Sequence, residues 1–238
     1  AGGSSGCVAV GAFGQAASTL TGYFNLPKVL DLALHDGADP ESLLLLTFTN
    51  KAAREMLRRV EEVARLDTRQ IWGGTFHHVA HRVLRDHAPV LGYAPGYSIL
   101  DREDARDVMS AAIADCGLAV GARRFPKADV LLDLVSMAVN TQTPLAEVLA
   151  GRRPQFLPLT DDVLRVARRY AERKHAINAM DFDDLLLNWK ILLVEHEAVR
   201  RAQAERFRHV LVDEYQDTNR LQGDVVDLVA SVHRNLCV

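Results

Sequence analysis

Residues 209–219 read HVLVDEYQDTN. Val210 to Val212 form a short apolar run that gives way abruptly to polar residues, which predicts a buried strand. Asp213 then sits at the carboxyl end of that strand, Glu214 follows it directly, and Gln216 and Asp217 fall on the turn beyond. Parallel sheets bind their ligands at that end of the strands. A carboxylate placed there can hold Mg²⁺, with waters retained between, and the neighbouring carboxylate can orient and polarise an attacking water. Gln216 and Asp217 are placed to sense a γ-phosphate or an adjoining segment. The plainer alternative is a pair of acids that caps the next helix, and the dipeptide alone allows both.

Working outward, SLLLLTF (42–48) is apolar without interruption, as in a strand covered on both faces. A helix is expected over about residues 51–65, with Ala53, Met56, Leu57, Val60 and Ala64 on one face. Arg54, Arg58, Arg59, Glu61 and Glu62 mark its wet face. A short strand near QIWGGTF (70–76) precedes a helix carrying Phe76, Val79, Ala80, Val83 and Leu84. At the far end, a helix over RLQGDVVDLVASV (220–232) leads to the start of a strand at NLCV (235–238). Residues 90–180 differ, carrying helical signals only. Asp101 is the expected N-cap and Gly117 the stop of a helix in ILDREDARDVMSAAIADCG (99–117). Further helices are expected at about 127–139, 144–150 and 160–175, then in MDFDDLLLNWKILL (180–193) and AVRRAQAERF (198–207). KVLDLALHDG (28–37) reads as a short helix ended by Gly37, and residues 1–27 show little period. The class is α/β, with strand–helix units at both ends and an all-helical insert between them.

Composition narrows the function classes. The chain has 238 residues, 48% hydrophobic and 25% charged, enough for one large or two small domains with a sizeable core. Net charge is −3, so any nucleic-acid binding must come from a local groove. Cys7, Cys116 and Cys237 are far apart and odd in number, which gives no disulfide framework or zinc pattern and favours a reducing cytoplasm. No stretch approaches the roughly 20 apolar residues of a membrane span, and the N-terminus lacks the positive start and apolar middle of a secretory signal. The chain also lacks a starting Met and is expected to be a fragment.

Two further stretches point to chemistry. TFTNKAA (47–53) places Thr47, Phe48, Thr49 and Asn50 between a strand end and a helix start. Exposed N–H groups and the helix dipole there suit a phosphate, hydroxyls of Thr47 and Thr49 can add contacts, and Phe48 offers a stacking face. The alternative is an N-capping turn with Phe48 buried. GTFHH (74–78) repeats the arrangement: Gly74 allows close backbone approach, and Thr75, Phe76 and His77 can reach a single strand. His77 also fits a packed surface histidine, and His78 has no comparable support. Arg165, Arg168, Arg169 and Arg173 in RVARRYAERK (165–174) form a basic helical face, either solvated or facing duplex phosphates. Asp181, Asp183 and Asp184 could pass for a metal site, but helix capping and surface solvation account for them.

VDEYQDTN (212–219) resembles motif II, the Walker B element, of UvrD/Rep/PcrA-type superfamily 1A DNA helicases. LLLLTFTNKAAREM (43–56) resembles the family's motif Ia, GTFHHVAHRVLR (74–85) its motif Ib, and MDFDDLL (180–186) the acidic helix before motif II. The resemblance covers roughly residues 28–238 and implies the N-terminal, ATP-binding half of such an enzyme. It implies a RecA-like parallel sheet, subdomain 1A, over 1–89 and 181–238, interrupted by helical subdomain 1B over 90–180. It implies ATP and Mg²⁺ as cofactors, with Asp213 as metal ligand and Asp213, Glu214 and Gln216 as catalytic residues. Thr47, Phe48, Thr49, Asn50, Thr75, Phe76 and His77 then line a DNA track. The implied partners are single-stranded DNA, single/double-strand junctions and a second RecA-like half that supplies further arginines. The implied activity is 3′-to-5′ translocation in the cytoplasm, in settings such as DNA repair, with no membrane involved.

One part of this pattern is missing. A Walker A loop, G-x-x-x-x-G-K-[ST], cradles phosphates with backbone N–H groups and brings a Lys to them. No G-K-[ST] occurs in the chain. The nearest stretch is VGAFGQAAST (10–19), where Gly11, Gly14 and Gln15 are the candidate nucleotide contacts and Ala16 and Ala17 replace the Lys and Thr. Loss of that cation predicts weak nucleotide binding and negligible turnover by this chain alone. A truncated or frame-disturbed helicase, a degenerate nonhydrolytic DNA-binding domain, and a scaffold domain built on the same fold all remain compatible with that loss.

Overall fold

The computed structural model describes residues 38–64, 68–118 and 125–238. The helix expected at 28–37 and the nucleotide contacts expected at Gly11, Gly14 and Gln15 lie outside the described residues. The chain forms two compact units. The first runs to Ala80 and resumes over Leu193–Thr218 and Gly223–Val238; the second comprises His81–Leu192 and Asn219–Gln222.

The first unit is built on a four-stranded, wholly parallel sheet. Its strands are β1 (Leu43–Thr47), β2 (Trp72–Thr75), β5 (His209–Val212) and β6 (Leu236–Cys237), in the order β2-β1-β5-β6. Every residue of β1 is buried, as its unbroken leucine run requires for a central strand. Helix α1 (Asn50–Ala64) lays Met56 and Val60 against Leu43, Leu45, Ile71 and Leu211. Each such buried side chain contributes about 1.5–3 kcal/mol. The outer face of α1 carries an ion-pair ladder in which Arg58 meets Glu55 and Glu62, and Arg59 meets Glu55. Trp72 packs edge-on against Phe207, with ring centroids 5.4 Å apart, at the end of helix α8 (Glu197–Arg206).

The second unit is mainly helical: α3 (Arg102–Asp115), α4 (Ala128–Thr141), α5 (Leu145–Arg152), α6 (Thr160–Ala176) and most of α7 (Phe182–Glu195). Helix α2 (Phe76–His87) begins in the first unit and ends in the second. Asp101 caps α3 by accepting from the N–H groups of Glu103 and Asp104, at 2.8 and 2.9 Å, and Gly117 turns the chain away at φ +69°. The expectation of a strand-free segment over 90–180 is corrected at its two ends. Strand β3 (Ser98–Ile99) pairs in parallel with β4 (Ala179–Met180). Two-residue strands are too short to show a period in the sequence. Their pairing is locked by Asn178, which takes φ +51° and accepts from Ala94 N at 2.8 Å.

Asp181 and Asp184 do cap α7, each accepting the other's backbone N–H at 2.9 Å. They are not solvated, however. Lys174, 4% exposed, reaches both carboxylates, at 2.5 and 2.6 Å, and the Tyr170 hydroxyl donates to Asp181 at 2.7 Å. Burial opposes the Lys174 ammonium, but the carboxylates of Asp184 and Asp181 outweigh it and hold its pKa above the ordinary value. Burial, with the charge of Asp181 added, raises Asp184 against the pull of Lys174. The cluster lines a cavity of about 260 Å³ whose other wall is apolar, with Leu132, Val135 and Val139. The basic face of α6 is largely engaged: Arg169 and Arg173 both bind Asp115, at 2.6–2.7 Å, and Arg165 binds Asp162 at 2.8 Å. Those two arginines hold the Asp115 carboxyl well below the usual carboxylate range.

Candidate nucleotide and nucleic-acid site

The register of the first unit decides what its residues can do together. Leu46 pairs with Val212, and Asp213 N donates to Leu46 O at 2.9 Å. Thr47 pairs with Thr75 on the other side of β1. The carboxyl ends of three adjacent strands therefore present Thr75, Thr47 and Asp213 along one edge, where a parallel sheet binds its ligands.

Asp213 is 3% exposed, and its Oδ1 has no hydrogen-bond partner among the described residues. Burial, with the charge of Glu214 added, raises its pKa. A buried, unpaired carboxylate oxygen at a sheet tip is a costly arrangement without a cation. It fits Mg²⁺, which needs only one or two protein carboxylates and keeps its waters. Among the described residues no group of three or more His, Cys, Asp or Glu is assembled to hold a metal. Glu214 takes a left-handed backbone conformation, φ +54°, which costs roughly 1–3 kcal/mol for a residue with a Cβ. This strain turns the chain sharply into the single turn Tyr215–Asp217 and leaves the Glu214 side chain part-exposed beside Asp213. Gln216 donates to the Glu214 carboxylate, so the two act as a unit.

The two strand-to-helix junctions are built alike. Thr49 Oγ1 accepts from Ala52 N at 3.1 Å, capping α1, and Thr75 Oγ1 accepts from His78 N at 3.2 Å, capping α2. Two helix N-termini thus start from neighbouring strand ends, and each favours an anion. Phe48 is 36% exposed, with its ring 5.8 Å from that of Phe76. The turn therefore caps a helix and also leaves Phe48 a free face. Two expectations are corrected here. Phe76 is 1% exposed, a core residue that can support Phe48 but cannot reach a base. Thr47 is fully buried, and its hydroxyl donates to Thr49 O at 3.1 Å, bracing the turn from within. Asn50 and Thr49 are exposed, and His77 is part-exposed.

Arg54, expected only on the wet face of its helix, and His78, expected to have no role, also belong to this region. With Asn50, Leu57, Gly73 and Gly74 they line a groove of about 340 Å³ between the starts of α1 and α2. Arg54 Nε donates to Asn50 O at 3.2 Å, which holds the guanidinium over the first turn. A Cβ on Gly74 would lie 2.7 Å from the His78 ring, so the missing side chain there keeps the groove open. Nothing in the sequence brings Arg54 to the Gly73–Gly74 pair, because the two lie on separate segments that only the fold makes neighbours.

A parallel sheet with a carboxylate pair at one strand tip and capped helix starts at the next two is consistent with a RecA-like helicase domain. The chain belongs to the UvrD/REP helicase N-terminal domain family, whose model matches residues 26–238. Residues 11–17 lie outside that matched span. The chain is 36% identical over 187 residues to the ATP-dependent DNA helicase UvrD1 of Mycobacterium tuberculosis and of Mycobacterium bovis, covering 78% of this chain and 24% of each relative. It is 31% identical over 199 residues to the ATP-dependent DNA helicase PcrA of Staphylococcus aureus, covering 84% of this chain and 26% of that protein. It spans about a quarter of the length of these curated relatives. Among the described residues no helix is long and apolar enough to cross a membrane.

Proposed function

We propose that this chain is the ATP-binding part of a 3′-to-5′ DNA helicase, coupling ATP hydrolysis to movement on single-stranded DNA in the cytoplasm. In this reading subdomain 1A is residues 1–89 and 181–238 and subdomain 1B is residues 90–180; the compact units divide instead after Ala80 and after Leu192. The observation that carries the reading is the register that sets Asp213 and the two capped turns on one sheet edge. In this reading Asp213 holds Mg²⁺, which when bound neutralises phosphate charge. Glu214, steadied by Gln216, orients and polarises the attacking water. Thr49, Asn50, Thr75 and His77, with Arg54 added by the geometry, contact the DNA backbone, and Phe48 stacks on a base. Junction binding and translocation need the second RecA-like half as partner.

A second reading is a nonhydrolytic DNA-binding or scaffold domain of the same fold. It is favoured by the absence of G-K-[ST] from the sequence. Mg-ATP affinity and single-strand affinity measured on one sample separate the two. Saturable Mg-ATP binding that alters single-strand affinity is the expected result for the helicase part; single-strand binding indifferent to nucleotide assigns the second reading. In both cases Arg54→Ala is expected to weaken single-strand binding a few-fold and to lower the salt slope, d log K/d log[salt], by about 0.7. An unchanged slope in a fluorescence titration across salt concentrations removes Arg54 from the track.

A further inference from the structure

The cavity at the Lys174 cluster lies wholly within the second unit, between His81 and Leu192, and none of the roles above uses it. Part of its lining is apolar. Leu132, Val135 and Val139 come from α4, with Leu100 ahead of α3 and Ala105 within it. The rest is mainly acidic: the carboxylates of Asp101, Asp181, Asp183 and Asp184 line it together with the cations of Lys174 and Arg102. Arg102 is drawn away, because it donates at 2.6 Å to Asp133, which is not part of the lining.

Lys174 does not saturate the carboxylates that remain. Asp181 is fully engaged, accepting from Lys174, from the Tyr170 hydroxyl and from Asp184 N. Asp184 is served on Oδ2 alone, by Lys174 at 2.6 Å and by Asp181 N at 2.9 Å. Asp101 uses only Oδ1 to cap α3. Oδ1 of Asp184 and Oδ2 of Asp101 thus accept no hydrogen bond among the described residues. The Asp184 side chain is only 17% exposed, so little water reaches it.

Size and chemistry together select an occupant. An apolar cavity of about 150 Å³ takes up benzene, so 260 Å³ has room for roughly ten non-hydrogen atoms. A cavity of that size with an apolar wall and a few convergent polar groups suits a small molecule. An anion would meet unpaired carboxylates, and a purely polar cation would leave the α4 wall wet.

We propose that this cavity binds a small amphiphilic ammonium ion, its hydrocarbon part against α4 and its N–H groups donating to Asp184 and Asp101. The site is independent of the nucleotide and DNA contacts proposed for the first unit.

The test is calorimetric titration of the full chain with 2-phenylethylammonium at pH 8, above the value of about 6 to which burial raises Asp184. Saturable binding is expected, with Kd on the order of 0.1–1 mM. 2-Phenylethanol and phenylacetate keep the ring without the positive charge, and methylammonium keeps the charge without the ring. Each is expected to bind at least about tenfold more weakly. Val135→Phe, which fills the apolar side, is expected to abolish binding with little change in melting temperature. Asp101→Asn keeps the cap on α3 and removes one charge. It is expected to weaken the ammonium ion about threefold and to leave 2-phenylethanol unchanged. Equal affinity for any of the three comparison ligands, undiminished binding to a folded Val135→Phe chain, or no saturation below about 10 mM overturns the proposal. So does an Asp101→Asn chain with unchanged ammonium affinity, whatever the state of Val135→Phe.

Discussion

Lys174→Met is expected to destabilise the second unit by about 3–5 kcal/mol, read from urea or thermal unfolding. Methionine matches the length and much of the volume of lysine, so the loss is electrostatic. The ammonium lies 2.5 and 2.6 Å from the carboxylates of Asp181 and Asp184 and 4.3 Å from the Tyr170 ring centroid. Its removal leaves two carboxylates buried side by side with no counter-charge. Their remaining hydrogen bonds, from backbone N–H groups and Tyr170, do not replace a full positive charge. The variant should therefore carry a pH signature. In the wild type Lys174 holds Asp181 below the ordinary carboxylate value, while burial raises Asp184 to about 6. Without Lys174 both carboxyls titrate higher in the folded state than in the unfolded chain. A raised folded pKa favours folding below the unfolded value and costs stability as pH rises through the folded value. The deficit should thus be full near pH 8 and shrink steadily towards pH 5. Asp184→Asn added to Lys174→Met should recover part of it. A pH-independent deficit would mean that the cost is packing alone.

Asp213→Asn is expected to act with opposite signs in two buffers. Without Mg²⁺ the variant should be more stable than the wild type by about 1 kcal/mol at neutral pH, because an unpaired buried carboxylate becomes a neutral amide of the same shape. The sign again follows from a raised folded pKa: ionised Asp213 costs stability above that value, so the advantage should vanish in acid, where the wild-type carboxyl is protonated. With saturating Mg-ATP the order should reverse, because a ligand stabilises only the form that binds it. Equal melting temperatures for the two chains in both buffers would show that Asp213 is not held as a strained, waiting ligand.

Much of this was legible from the residues because the decisive features are abrupt. The strand ends at Val212 because apolar character stops there, which fixes Asp213 at the tip. Asp101 and Gly117 bracket α3 because capping chemistry is local. What was not legible turned on facing. At the junction after β1, a rotation of one residue decides whether Thr47 points inward, and composition carries no record of it; Phe76, by contrast, heads the apolar stripe of Val79, Ala80, Val83 and Leu84, which already points it inward. Lys174 was hidden among arginines, although Val163, Val166, Tyr170 and Lys174 share one helical stripe that is buried throughout. The groove holding Arg54 and His78 forms from two segments that sequence spacing alone does not bring together.

The short pairing of Ser98–Ile99 with Ala179–Met180 has a consequence for how this protein can vary. The cluster of buried side chains running from Leu100 to Ala179 draws every member from that stretch, and the two strands set its entry and exit side by side. Residues 100–178 thus behave as a cassette plugged into a two-pin socket. A replacement of another length would keep the two pins only if it still supplied partners for Asp181, Asp184 and Asn219, as Lys174 and Asn140 do here.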